Sequence, residues 1–166
     1  MITVPALAQS DPMESARELY ASAAYDDALR LLDGLRPSAD SSSVGQIEYY
    51  RALCLLALGK TVEADWAIEM AVDAMPSTQP SAEDTSPRVR AAYREVRRRV
   101  LPDVIARRYA DARAAFDRKD AGAIERFREV LALIDEPDIQ DLSAQPALAQ
   151  TRALAADYVA LCTHRQ

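Results

Sequence analysis

Histidine is almost missing from this chain, and the one present, His164, stands two residues from the C-terminus, where a side chain is expected to be frayed and solvated. That excludes a nucleophile working with a histidine base. Cysteine occurs twice, as Cys54 and Cys162, far apart and each inside an apolar helical pattern, so no Cys/His spacing for a metal exists. Both read as buried free thiols behaving as small hydrophobes; a disulfide between them would require an oxidising compartment and close approach of two helices. Four glycines leave no room for a phosphate-cradling loop. No apolar run approaches the roughly 20 residues of a spanning helix, and alternating runs of β-branched and aromatic residues, the mark of strands, are absent.

What is present is helical period and charge. The chain has 166 residues, 49% hydrophobic and 28% charged, long enough for one domain with a real core, since a chain of roughly 150 residues buries about 70% of its unfolded surface. The net charge is −6, yet it is unevenly spread. Between Pro87 and Arg108 stand eight arginines against Glu95 and Asp103, a local excess of +6 that leaves −12 on the remainder. A basic sector is expected there. Carboxylate pairs, Asp26 with Asp27 and Asp117 with Asp120, fall at helix starts or turns, where capping and the helix dipole explain them.

The breakers divide the chain into seven or eight helices. A first helix is predicted from Pro12, capped by Asp11, to Ala23, and a second from Tyr25 to Leu35. A third runs from Val44 to Leu58, stops at Gly59, and is followed by a fourth over Thr61 to Met75, closed by Pro76. Ser86 and Pro87 form an N-cap and first helical position for a fifth helix ending near Leu101. Pro102 breaks or kinks it into a sixth reaching Lys119. A seventh covers 121–136 and a last one 147–163. The first ten residues, MITVPALAQS, are set aside as a disordered N-terminus or the remnant of a signal peptide: Ala6-Leu7-Ala8 has the small-x-small form that signal peptidase reads, although no basic or full apolar leader precedes it.

Self-similarity organises these helices. Ala16, Ala52 and Ala112 each begin a unit and are followed three residues later by Leu19, Leu55 and Ala115. Ala28, Ala64 and Ala123 recur on the second helix of each, with Leu32, Ile68 and Phe127 four residues further on. This pattern resembles the tetratricopeptide repeat family, whose unit of about 34 residues has small residues where two antiparallel helices touch. The resemblance implies an all-α chain over 11–166, a right-handed superhelix of antiparallel hairpins. Its units would be 12–37, 44–76 and 103–137, with an extra helix 87–101 and a capping helix 147–163. The run DTSPRVRAAYREVRRRVLP also resembles segments of repeat proteins from bacterial envelopes. Each hairpin must stack on its neighbours to complete a core; alanines let the axes approach, while leucines, Trp66 and Phe127 fill the space between layers.

The functional expectation follows from that resemblance. Such proteins bind peptides or partner domains in a groove lined by the first helix of each hairpin, which on matching positions here means Arg17, Tyr20, Tyr49, Leu53, Leu56, Tyr109, Arg113 and Phe116. Arg17 with Tyr20 and Arg113 with Phe116 repeat one couple, and an aromatic beside a guanidinium is the pairing that dominates binding energy at interfaces. With barely three units, a short segment or self-association suits the groove better than an extended peptide. Arg90, Arg94, Arg97 and Arg98 share one side of a helix and are expected to form a basic surface for an acidic partner; the alternative is anion or nucleic-acid binding over 87–108. A nucleic-acid reader would interleave exposed aromatics with these charges, and only Tyr93 and Tyr109 are near. No catalytic residue, cofactor or metal is expected. The chain is expected to be exported, in a periplasm, or else cytoplasmic.

Overall fold

The structure, a computed structural model, describes residues 11–163, with side chains described to 161. The MITVPALAQS stretch, the Cys162 side chain and His164 lie outside the described residues. Seven α-helices follow one another: α1 (Pro12–Ala21), α2 (Tyr25–Leu35), α3 (Val44–Ala57), α4 (Thr61–Ala74), α5 (Pro87–Asp117), α6 (Ala123–Ile134) and α7 (Pro146–Thr163), with single 3-10 turns at Arg36–Ser38 and Pro137–Ile139. No strand occurs among the described residues. The caps read from the sequence are in place: the Asp11 carboxylate accepts from the Met13 amide at 3.1 Å, and the Ser86 hydroxyl accepts from the Val89 amide at 3.3 Å. Each satisfies an amide that the first helical turn leaves without a partner.

Three tight turns repeat one backbone geometry. Ala23, Gly59 and Lys119 all take positive φ, at 61°, 74° and 59°, and each stands seven residues after the alanine that begins its unit. The amides of Ala24, Lys60 and Asp120 bond back to the carbonyls of Leu19, Leu55 and Ala115, and those of Ala23, Gly59 and Lys119 to Tyr20, Leu56 and Phe116. This paired closure satisfies orphan carbonyls at the helix end and reverses the chain. The α1/α2, α3/α4 and α5/α6 pairs are thereby the same unit at the level of the backbone, although only one of the three carries glycine at the left-handed position.

Packing follows the same repeat. Every helix packs on the next in sequence, and α1 touches α3, α3 touches α5, and α5 touches α7. Ala16, Ala52 and Ala112 are fully buried, as are Ala28 and Ala64, with Ala123 nearly so. Small side chains at these crossings bring the helix axes together, and Leu32, Ile68 and Phe127, all at 0% exposure, fill the layer beside them. Burying an aliphatic or aromatic side chain of that size contributes about 1.5–3 kcal/mol. Close approach is tightest where α3 begins: a Cβ on Gly45 would lie 2.6 Å from the Met75 Cγ and 3.1 Å from the Ala74 Cβ.

One open alternative is decided and one expectation corrected. Of the break or kink that Pro102 allowed, no break occurs: residues 87–101 and 103–117 belong to one helix, α5, of 31 residues with Pro102 inside it. Pro102 removes one intrahelical bond, but Leu101, Val104 and Ile105 beside it are buried, so packing holds the helix through the site. The extra helix and the first helix of the third unit are therefore a single strut that reaches from α3 and α4 to α6 and α7. Trp66, in turn, does not lie between layers but is 69% exposed. Ala64, Ala67, Ile68, Ala71 and Val72 form the buried face of α4, and Trp66 projects away from it.

Candidate functional site

The aromatic residues segregate into two clusters. Five of the seven tyrosines form a chain of ring contacts, from Tyr25 to Tyr20 (5.6 Å between centroids), to Tyr50 (5.8 Å), to Tyr49 (5.2 Å), to Tyr93 (5.9 Å). Most of these contacts are edge-to-face, the arrangement ring quadrupoles favour. The remaining tyrosines join the two phenylalanines: Phe127 stacks on Tyr158 at 4.7 Å, with Phe116 and Tyr109 beside them.

Four rings of the first cluster, all but Tyr93, wall a cavity of about 420 Å³ between α1, α3 and the segment that joins α4 to α5. Four of the predicted groove residues line it, Arg17, Tyr20, Tyr49 and Leu53, together with Tyr25, Tyr50, Glu83 and Asp84. Arg17 is held in the wall by Gln46 (3.0 Å), Glu14 (3.3 Å) and the Tyr50 ring, whose centroid lies 5.8 Å from the guanidinium carbon. Its Nε is enclosed without an acceptor. Tyr20 donates to the Asp84 carbonyl at 3.3 Å. Burial pushes both Tyr20 and Tyr49 above the usual phenol range, Tyr49 to about 12, with neighbouring phenols and the Asp84 carboxylate acting in the same direction. These hydroxyls stay protonated.

The other groove candidates fall elsewhere. Leu56 is buried in the core, because α3 is packed on by α1, α2, α4 and α5 and has little free circumference. Tyr109 and Phe116 pack under α7 through Phe127 and Tyr158, and Arg113 is exposed beside them. The repeated couple thus has two fates: Arg17 and Tyr20 face the cavity, while Phe116 is covered by the last helix. Sequence reasoning missed Tyr25, Tyr50, Glu83 and Asp84. The two acidic residues sit in PSTQPSAEDTSP, which shows turn formers but no sign of folding back across α1.

The expected basic surface is largely corrected. Arg97 is fully buried: its Nε and Nη2 donate to the Pro76 carbonyl at 3.0 and 2.7 Å, Nη2 also pairs with Glu136, and Nη1 pairs with Asp138. Arg98 pairs with Asp141 at 2.6 Å and donates to the Asp138 carbonyl. Arg90 donates to the carbonyls of Ala82 and Thr85, Arg99 pairs with Asp65 and Glu69, Arg107 pairs with Asp73, and Arg108 donates to the Asp73 carbonyl. Only Arg88 and Arg94 of the eight have no partner among the described residues. The arginines of α5 bind the acidic remainder of the chain itself, from α4 to the segment before α7. A signal for Arg97 existed: Val89, Tyr93, Leu101 and Ile105 recur at intervals of four and are all buried, and Arg97 fills the gap in that series.

Among the described residues no group of three or more His, Cys, Asp or Glu side chains could hold a metal, and no helix is long and apolar enough to cross a membrane. Cys54 is buried and unpaired, and burial pushes its thiol up to about 12. Asp27 pairs with Arg30, and the Asp120 carboxylate caps Gly122 at 2.8 Å and meets Arg126 at 3.3 Å, both local structural uses. The chain matches no protein-family profile, no curated protein and no solved structure.

Proposed function

We propose that the chain is a non-catalytic helical-repeat module of the tetratricopeptide type, acting in a bacterial envelope, that holds a short segment of a partner protein in the cavity between α1 and α3. The observation that carries this reading is the coincidence of Arg17, Tyr20, Tyr49 and Leu53 in one aromatic cavity. Arg and Tyr in a concave setting are the residues on which binding energy concentrates. Three identical hairpin closures and the α1–α3–α5–α7 contact series support a superhelical stack of repeats. The envelope assignment is supported only by the ALAQ string and the α5 resemblance. Anion or nucleic-acid binding over 87–108 loses its support, because six of the eight arginines there already have acceptors within the chain.

Site-specific photo-crosslinking tests the assignment. A benzophenone side chain at position 25, in the cavity wall, should capture a segment of a second protein in cells expressing the full chain, and Arg17→Ala should abolish the adduct. The same probe at Arg128, exposed on α6, should capture none. Equal capture at both positions, or an adduct indifferent to Arg17, removes the cavity as the binding site.

A further inference from the structure

The charges in the cavity wall do not balance. Arg17 is matched by Glu14 and by its contacts to Gln46 and Tyr50, whereas the carboxylates of Glu83 and Asp84 have no ion pair or side-chain hydrogen bond among the described residues. Both are placed at the cavity by main-chain anchors. Tyr20 holds the Asp84 carbonyl, Arg90 holds the carbonyls of Ala82 and Thr85, and the Glu83 amide donates to the Ser81 hydroxyl at 3.0 Å. Anchored backbone that sets two acidic residues in the lining of a tyrosine-walled cavity differs from an acidic loop in solvent, because their positions relative to the rings are fixed.

Rings and carboxylates together select the sign of the occupant. A cation over the face of an aromatic ring is attracted by its quadrupole, the more so when removed from water. The wall already contains one such contact, Arg17 over Tyr50. Among the described residues, no cation stands over the rings of Tyr20, Tyr25 or Tyr49. An incoming carboxylate would meet Glu83 and Asp84 first, and the Arg17 Nε, a donor in the wall without an acceptor, is closed off from solvent. Resting on the interaction-module reading above, we propose that this cavity takes a lysine or arginine side chain carried on the partner segment, with the tyrosine rings receiving its stem and charge and Glu83 and Asp84 closing over it.

Titration of the isotopically labelled full chain with three capped tripeptides, acetyl-Gly-Lys-Gly-amide and its Gln and Glu counterparts, reads this directly by NMR. The Lys peptide should shift the resonances of Tyr20, Tyr49 and Asp84 saturably, with an affinity about tenfold above that of the Gln peptide. The Glu peptide should shift none of them. The double variant Glu83→Gln/Asp84→Asn, both exposed positions whose replacement leaves the main-chain anchors intact, should erase the difference between Lys and Gln. Equal response to Lys and Gln, a preference for Glu, absence of any saturable shift at these residues, or a Lys preference that survives the double variant each overturns the proposal. A partner captured at position 25 through a segment without Lys or Arg would overturn it while leaving the interaction-module reading standing.

Discussion

Replacing Arg97 with methionine isolates the strongest electrostatic feature of the fold. The native guanidinium is fully buried and touches the Pro76 carbonyl, Glu136 and Asp138, whose side chains are 17% and 8% exposed. Methionine retains the packing volume but leaves two carboxylates and a carbonyl without their donor. Removing one partner of a buried ion pair costs about 3–5 kcal/mol, because the surviving charge is stranded. A domain of this kind has about 5–15 kcal/mol of stability in all, so the variant should remain folded in buffer while losing a large share of its margin. With a urea slope of about 2 kcal/mol per molar, the unfolding midpoint should fall by about 2 M. Arg94→Ala, on the same helix but without a partner among the described residues, should cost less than about 0.5 kcal/mol, a midpoint shift under about 0.3 M. The triple variant Arg97→Met/Glu136→Gln/Asp138→Asn should recover at least half of the loss, since the penalty lies in the orphaned charges rather than in the missing pair. A midpoint for Arg97→Met matching that of Arg94→Ala would refute the burial of Arg97 and the pinning of α5 that follows from it.

The repeated turns give a test of opposite sign. Ala23→Gly and Lys119→Gly should each stabilise by about 1 kcal/mol, raising Tm by about 2–4 °C, because the left-handed conformation penalises a Cβ, while Gly59→Ala should lower it comparably; thermal melts showing one common sign would contradict the turn geometry. Burial raises the Tyr49 pKa from the ordinary value near 10 to about 12, so the folded chain retains this proton where the unfolded chain loses it. Its contribution is complete below about pH 10 and is lost as pH rises through about 12, and Tyr49→Phe should flatten the fall in stability over that window. Asp40 runs the other way: hydrogen bonds from Ser43 and Ser42 lower it to about 2, so its contribution holds above about pH 4 and is lost as pH falls through about 2. Asp40→Asn should remove that part of the acid dependence. Cys54, in a Cys162→Ser background, should react with a thiol reagent only as fast as the protein unfolds; rapid labelling of the native chain would place the thiol at the surface.

Much of the fold was legible because alanine spacing and turn formers act locally. Ala16, Ala52 and Ala112 mark the crossings, and all three are buried. The turn that closes each unit, however, carries alanine, glycine and lysine in turn, so two of the three left-handed positions bear no residue-level signal. Pro102 left a break and a kink both open for a related reason. A proline inside a helix opposes the helix only by about the value of one bond and a clash, and the buried row Val89, Tyr93, Arg97, Leu101 and Ile105 spans the site with packing on either side. Arginine in that row disguised its period as a surface.

The cavity was half legible, and the division is physical. Arg17, Tyr20, Tyr49 and Leu53 belong to helices whose register the repeat defines, so their shared face could be read. Glu83 and Asp84 are brought to that face by tertiary hydrogen bonds alone: Arg97 to Pro76, Gln79 to Glu136, Arg90 to the carbonyls of residues 82 and 85, and Tyr20 to Asp84. Three of those anchors draw on the arginines or acids that composition alone presented as opposing surfaces. Much of the charge asymmetry of the sequence is therefore consumed in folding, where the excess of +6 over residues 87–108 gathers acidic segments against one strut. Among the charges that escape that neutralisation are the two carboxylates at the tyrosine cavity. Charge left unpaired after a chain has matched its own is available to another molecule, and here two such carboxylates adjoin a concave surface whose aromatic wall suits a cation.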